Sequence, residues 1–474
     1  MQPERRVYLL EPKKYSPETI AVTFAKTSRS PLSFGEIAEE LTGEQSAKFH
    51  EKWVVGYGHS SVAEHAVLHI ALENVSRLAV ETIEANRLAS YTEKSTRYQT
   101  WSAKDFFIPP ELDSHPLRDT YTHVCITLFQ TYLDSLPVVK ALIEQENPRQ
   151  PGESDARYEG RIRSQYVDSC RYLLPAASMA NVGMSINARA LEHALCKMLS
   201  HPLAEVQAIG EEVKAVAQAE VPTLVKYAAC NPRWQSADAA LSAAARTIPV
   251  NPSPQDWCQL IQYDEENELH MLAAALYSTG CQSYTDYIAH VRSLEAAERI
   301  QLAQTLLGDL TRHDIPPRAV EHSRYTVDLV LDQGAYFELK RHRMMTQTPQ
   351  PLTTHLGYAI PKDIERAGFL EPYQTAMRTA QEAYEKLAAF NPHVASYVVP
   401  NAFNRRVLLT FNLRSADHLI NLRTAENAHY AMRRAAYRIA EQIQEVTPLL
   451  GNYLRVTPGE TWQSVEKKCF LKTR

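Results

Sequence analysis

Two short stretches hold residues whose types and spacing can grip an anion. "EANRLASYTEKSTRYQT", residues 84–100, places Glu93, Ser95 and Arg97 two positions apart. "ELKRHRMMTQTPQPLTT", residues 338–354, has the reverse character. It opens with four potential cations, Lys340, Arg341, His342 and Arg343, and its tail carries no Glu, Ser or Arg. Guanidinium groups bind phosphate oxygens in bidentate pairs, and a hydroxyl or loop amide can add to the grip. A carboxylate such as Glu93 can accept from a ribose hydroxyl or an amide. Bland readings stand beside these. Cations at a helix end complement its macrodipole, and both stretches also read as a polar loop and a basic surface patch. Pro349 and Pro351 force extended backbone away from the cations.

Other candidates for chemistry are fewer. His59 and His65 in "GHSSVAEH" lack the spacing of a zinc helix and have no neighbouring Cys, so no metal site is expected. Arg423 in "NLRTAEN" sits in a helical stretch between apolar turns. The glycine-rich signatures of dinucleotide, nucleoside triphosphate and serine-hydrolase sites are missing.

The elements that position these residues belong to a helix-rich chain. Its 474 residues suffice for two or three domains, and 45% apolar with 22% charged residues is a soluble globular composition. A net charge of −5 argues against a general nucleic-acid binder. Seven dispersed cysteines without a CxxC pair point to reduced thiols and a cytoplasmic setting. No signal peptide fits the first residues, and no apolar run is long enough to span a membrane. Ser16 and Pro17 predict a capped helix start. Residues 202–221 and 427–446 both repeat apolar residues every three or four positions, as an amphipathic helix does.

Three blocks recur in the same order. Residues 7–28 resemble 259–280, an apolar run leading through an acidic turn into a helix. "VAEHAVLHIALENVSRLAVETIEANR" pairs with "AVEHSRYTVDLVLDQGAYFELKRHR". In the second copy Tyr325, Val327, Leu329 and Leu331 alternate with polar residues, which predicts a strand with one wet face. "LLPAASMANVGMSINARALEHAL" pairs with "VVPNAFNRRVLLTFNLRSADHLI", both running from Pro to Asn-x-Arg. Ordered repetition reads as gene duplication. It divides the chain into residues 1–230, a Pro-containing linker at 231–256, and residues 257–474.

"ANRLASYTEKSTRY" and "KRHRMM" each resemble part of the signature of flavin-dependent thymidylate synthases. That signature is Arg-His-Arg, seven residues, then Ser, with Glu before the Ser and Arg after it. "GHSSVAEH" and "NLRSADHLINLR" resemble further blocks of the family. The resemblance implies a helix-rich α/β (α+β) fold with two tandem thymidylate synthase-complementing-protein-like domains, each a small antiparallel or mixed sheet with packed helices.

By resemblance, Arg341, His342 and Arg343 would hold FAD, while the first half has Ala85, Asn86 and Arg87 there. Glu93, Ser95 and Arg97 would grip the nucleotide, and Pro349, Pro351 and Thr353 replace them in the second half. Arg171 would be a nucleotide contact, with Tyr397 as its counterpart; Arg423 would polarise the pyrimidine, with Met198 opposite. His59 and Ser61 of the upstream block, Asn187 with Arg189, and Asn412 with Arg414 would contact the cofactor, with His418 beside them. The losses are complementary, which implies one complete composite site and one vestigial site. Two chains would form a homodimer of four domains. The family activity is reductive methylation of dUMP, with methylenetetrahydrofolate donating the carbon and NADPH reducing the flavin. Three departures point to alternatives. Glu338 stands where the family has a nucleotide-facing amide, Asn427 where it has a flavin-contacting His, and His418 where it has Asn. The alternatives are a flavoenzyme acting on another pyrimidine nucleotide, or a pseudoenzyme that binds flavin or nucleotide.

Overall fold

The structure is a computed structural model that describes residues 8, 10–27, 30–56, 60–96, 99–249 and 256–471. The chain forms two compact units. One comprises Met1–Ser95, Asp105–Arg118 and Ala177–Asn251; the other comprises Thr96–Lys104, Asp119–Ala176 and Pro252–Arg474. Both are helix-rich, and each holds one small antiparallel sheet. Among the described residues no helix is long and apolar enough to cross a membrane.

The first unit's sheet has strands β1 (Val67–Ser76), β2 (Ala89–Glu93) and β3 (Met179–Asn187) in the order β1-β3-β2. Leu68, Ile70 and Leu72 of β1 point inward, while Val67, His69, Ala71 and Glu73 stay exposed. That is the period-2 pattern of a sheet packed on one face. Ser76 ends β1 and caps the helix Arg77–Ile83, its hydroxyl accepting from the Ala79 amide at 3.0 Å. Asn187 ends β3 and caps the helix Ala188–Leu199 through Ala190 N at 2.9 Å. Ser16 caps Pro17–Lys26 as its sequence signature predicts, accepting from Thr19 N at 3.2 Å.

The second unit's sheet has β4 (Cys258–Tyr263), β5 (Tyr325–Asp332), β6 (Thr346–Pro349) and β7 (Asn404–Phe411) in the order β4-β5-β7-β6. Its last three strands repeat the first unit's topology, and the capped helices repeat with them. Asp332 caps Gln333–Leu339, and Asn412 caps Leu413–Arg423. One length difference has a local cause. Glu64 precedes Ser76 by one residue more than Glu321 precedes Asp332. The extra residue is taken up where the β1–β3 register shifts between Leu72 and Val75, with Asn74 at φ 56°. A bulge absorbs one residue at the cost of a local kink, and Asn tolerates the left-handed region better than most residues.

The expected wet face of β5 is not found. Thr326 and Asp332 are buried, and Asp328 and Val330 are half-buried. β5 lies between β4 and β7, and Arg406 of β7 covers Asp328 with an ion pair at 2.7 Å. Within the expected linker, Pro232–Ala245 is an exposed helix with Asn231 as its cap; residues 250–255 lie outside the described set.

The compact units do not follow the halves of the sequence. The helix Asp155–Cys170 and the turn Arg171–Leu173 belong to the second unit. There the turn's chain, from Tyr172 to Ala176, pairs with Val399 to Ala402, which follow the matching turn Ser396–Val398. Ala402 N donates to Tyr172 O, Asn401 N to Leu174 O and Ala176 N to Val399 O, each at 3.0 Å. Both turns lie at the same distance before their prolines, Pro175 and Pro400, which themselves form a bridge. The counterpart of Arg171 is therefore Ser396, one residue from the expected Tyr397. Loss of an N-cap acceptor typically costs about 1 kcal/mol. Asn412→Ala and Asn187→Ala should each lower the urea midpoint by that equivalent, while Asn→Asp at either position should not. Unfolding followed by circular dichroism checks this.

Candidate active site

Four elements of the second unit converge on one buried cluster. The short helix Gln333–Leu339 is buried along its whole length and carries Glu338 in its last turn. Beyond it, the turn holding Arg341, His342 and Arg343 is fixed by Gln347. The Gln347 Nε2 donates to Leu339 O at 3.1 Å and to His342 O at 2.9 Å. The helix Leu413–Arg423 places Arg423 at its final position. The turn after Cys170 supplies Arg171, whose own carbonyl accepts from Asn401 Nδ2 at 3.0 Å.

These side chains form a continuous chain of contacts. Arg171 Nη1 donates to Thr96 Oγ1 at 3.3 Å, and its Nη2 lies 3.5 Å from Glu338 Oε1. Asp168 Oδ1 lies 3.4 Å from Arg171 Nε. Arg423 Nη1 donates to Glu338 Oε2 at 2.9 Å, and its Nη2 to the Glu338 carbonyl at 3.1 Å. Arg423 Nε donates to His342 Nε2 at 3.0 Å. Arg171, Glu338 and His342 are each at most 9% exposed. One buried and one half-buried guanidinium thus face two buried carboxylates. Removing one member of such a pair typically costs about 3–5 kcal/mol, because a charge is left without its partner.

The imidazole of His342 is electrically silent. Burial, then the charges of Arg423, His418 and Arg341, lower its pKa to about 3. A guanidinium only donates, so Nε2 must hold the lone pair and Nδ1 the proton. That Nδ1 is buried and has no hydrogen-bond partner among the described residues. The cluster therefore presents a buried donor, N–H, awaiting an acceptor. Asp332, which caps the helix bearing Glu338, behaves oppositely: burial raises its carboxyl to about 6.

The other expected site residues fall into three groups. Arg341 is exposed and Arg343 half-buried beside His342, and the His418 ring centroid lies 5.5 Å from that of His342. Asn187 and Asn412 are spent as helix caps, while Arg189 pairs with Glu64 and Arg414 with Glu321. Each Asn-x-Arg thus fixes its own Glu-His block. In the first unit, Glu93 makes a buried ion pair with Arg77 at 3.1 Å, Ser95 is half-buried, and Ser61 is exposed in the 3-10 turn Ser60–His65. His59 and Arg97 lie outside the described residues. Among the described residues no cluster of metal-ligating side chains occurs. Thr96 and Asp168 were absent from the expected set. Thr96 adjoins Ser95, and Asp168 precedes Arg171 by three residues, a helical spacing that places both side chains on one face.

The family described as thymidylate synthase complementing protein matches residues 10–223 and 259–449, once in each half of the sequence. A "UPF0159 protein" of Chlamydia muridarum is 30% identical over 433 residues, covering 88% of this chain and 82% of its own. A "Flavin-dependent thymidylate synthase" of Clostridium tetani is 27% identical over 217 residues, covering 45% of this chain and 82% of its own. The solved structure titled "Crystal structure of a UMP/dUMP methylase PolB from Streptomyces cacaoi bound with 5-Br dUMP" aligns with a TM-score of 0.35 at 17% identity. It covers 42% of this chain and 96% of its own.

Opposed titrations in the cluster give a signed pH dependence. The lowered His342 adds stability above pH 6.5 that is lost as pH falls from 6.5 toward 3. The raised Asp332 adds stability at low pH that is lost as pH rises from 3.8 to 6. The two slopes, each about 1.4 kcal/mol per pH unit, cancel between roughly pH 4 and 6. Relative to the wild type, Asp332→Asn should therefore lose stability on acidification through this window. His342→Gln should instead gain it. Denaturant midpoints measured from pH 4 to 7 check both signs.

Proposed function

The chain belongs to the thymidylate synthase complementing protein family, and from that premise we propose that it is a flavin-dependent enzyme that methylates dUMP or a related pyrimidine nucleotide. The observation that carries this reading is the buried run Arg171–Glu338–Arg423–His342. It joins a residue of the first repeat to residues of the second inside one compact unit, as expected for a composite site.

The residues fit a flavin in part. The unpartnered Nδ1–H of His342 and the exposed guanidinium of Arg341 suit the acceptor-rich edge and phosphates of FAD. Asn412 and Arg414 act at one remove, by fixing the helix that carries His418 and Arg423. Bound reduced flavin supplies hydride. The rest falls to this chain. Uracil C5 becomes nucleophilic as the ring gains negative charge. Arg423, preorganised and largely dry, favours that charge beside a ring carbonyl, an effect on the order of 3 kcal/mol. Arg171, with Ser95 and Arg97, anchors the 5′-phosphate, so remote binding energy orients the ring. No cysteine nucleophile is required, and burial pushes the Cys170 thiol near the cluster up to about 12, away from reactivity. Methylenetetrahydrofolate would donate the carbon, and NADPH would supply the reducing equivalents to a bound flavin. Two chains pair as a homodimer with two working sites. Glu338 favours a second reading, another pyrimidine nucleotide, because it lies against the arginine assigned to the ring.

The purified protein should be yellow or take up FAD, and Arg341→Ala should abolish that binding. Tritium release from [5-³H]dUMP with methylenetetrahydrofolate and NADPH should occur, and Arg423→Ala should slow it at least 100-fold, the scale of losing one preorganised charge contact. Flavin binding without tritium release assigns another pyrimidine substrate. A protein that FAD cannot reconstitute is not a flavoenzyme.

A further inference from the structure

Resting on the pyrimidine-nucleotide reading, we propose that Glu338 determines specificity by setting the charge of the group this site accepts. Its carboxylate is a built-in counter-anion that competes with a phosphate for Arg171. Ligands carrying less charge at that point are favoured.

The geometry is direct. The two carboxylate oxygens serve different guanidiniums, Oε1 at 3.5 Å from Arg171 and Oε2 at 2.9 Å from Arg423. Oε1 thus stands against the guanidinium assigned to the phosphate, and Oε2 against the one assigned to the ring. Asp168 already lies against the far side of Arg171 at 3.4 Å. The four side chains Arg171, Arg423, Asp168 and Glu338 therefore sum to zero charge, and the neighbouring His342 is neutral. An arriving dianion meets no net positive charge from them and must work against a carboxylate within reach of the same donors. A neutral ring edge meets no such penalty: Glu338 can accept from a ring N–H while Arg423 donates to a ring carbonyl.

The cluster is also built to survive loss of this charge. Arg423 is held by the Glu338 main-chain carbonyl at 3.1 Å and by His342 at 3.0 Å, and Arg171 by Asp168 and Thr96. A glutamine at 338 keeps the shape and one acceptor oxygen while removing the competing charge.

Deoxyuridine and dUMP differ only in the phosphate, so the ratio of their affinities isolates the effect. Calorimetric titration of the full-length protein and of Glu338→Gln should show the preference for dUMP over deoxyuridine rising at least tenfold in the variant. A preference that is unchanged or smaller overturns the proposal. If the glutamine variant does not fold, Glu338→Asp replaces it. The shorter carboxylate can serve one guanidinium at most, so the preference should rise two- to fivefold, and no rise overturns the proposal. If neither protein binds dUMP or deoxyuridine, the pyrimidine reading fails, and inorganic sulfate then decides the role of Glu338. Sulfate binding at least tenfold tighter in Glu338→Gln upholds it, and equal binding refutes it.

Discussion

A guanidinium cannot be buried without a partner, and here one buried and one half-buried guanidinium lie within reach of one carboxylate. Charges removed from water are tolerated only when other charges and hydrogen bonds replace the hydration. Arg171 and Arg423 meet that condition through Asp168, Glu338, Thr96, His342 and a main-chain carbonyl. The demand propagates outward. Glu338 must stand at the last turn of its helix, so that helix needs its start fixed, which Asp332 does through Ala335 N at 2.8 Å. Arg423 must stand at the end of its own helix, so Asn412 fixes the start of that one. Arg171 must be brought from the other half of the sequence, and the pairing of 171–176 with 399–402 brings it.

That pairing explains why the compact units cut across the sequence repeats. A duplicated chain offers two copies of each turn, and here one copy of the Arg171 turn binds the backbone of the other. The positions of the first unit that correspond to the cluster carry other side chains. They have been absorbed into packing. Met198, opposite Arg423, is 1% exposed in the core, and Asn86, opposite His342, is buried and donates to Ile83 O at 3.0 Å. Glu93 is turned against Arg77 in an ion pair that buries both side chains.

Much of this was legible beforehand because it rests on local chemistry. Helix caps such as Ser16 and the alternation of β5 are short-range signals, and ordered repeats gave the tandem architecture. The misses are long-range. The polar residues of β5 read as a wet face, yet a neighbour strand supplies Arg406 to cover Asp328. Asn-x-Arg gives no local sign of the ion pair it makes, because the partner Glu lies more than ninety residues away in sequence. Pairing across such distances has no sequence period to reveal it. Thr96 and Asp168 escaped for the same reason: each is ordinary until Arg171 is placed beside it.

The two copies act as controls for one another, because they share one topology and differ in duty. Residues that both copies keep perform the same structural act twice. Asn187 and Asn412 cap equivalent helices, and Arg189 and Arg414 pair with the Glu of equivalent Glu-His blocks. Residues that only one copy keeps meet in the buried cluster: Arg171 against Ser396, His342 against Asn86, Arg423 against Met198. A role in the fold predicts retention in both copies, since both must fold. A role in a ligand site predicts retention in one, once a single composite site suffices. Glu338 likewise differs between the copies: its counterpart in the first is Thr82. Its carboxylate is thus as much a part of the buried cluster as the arginines it separates.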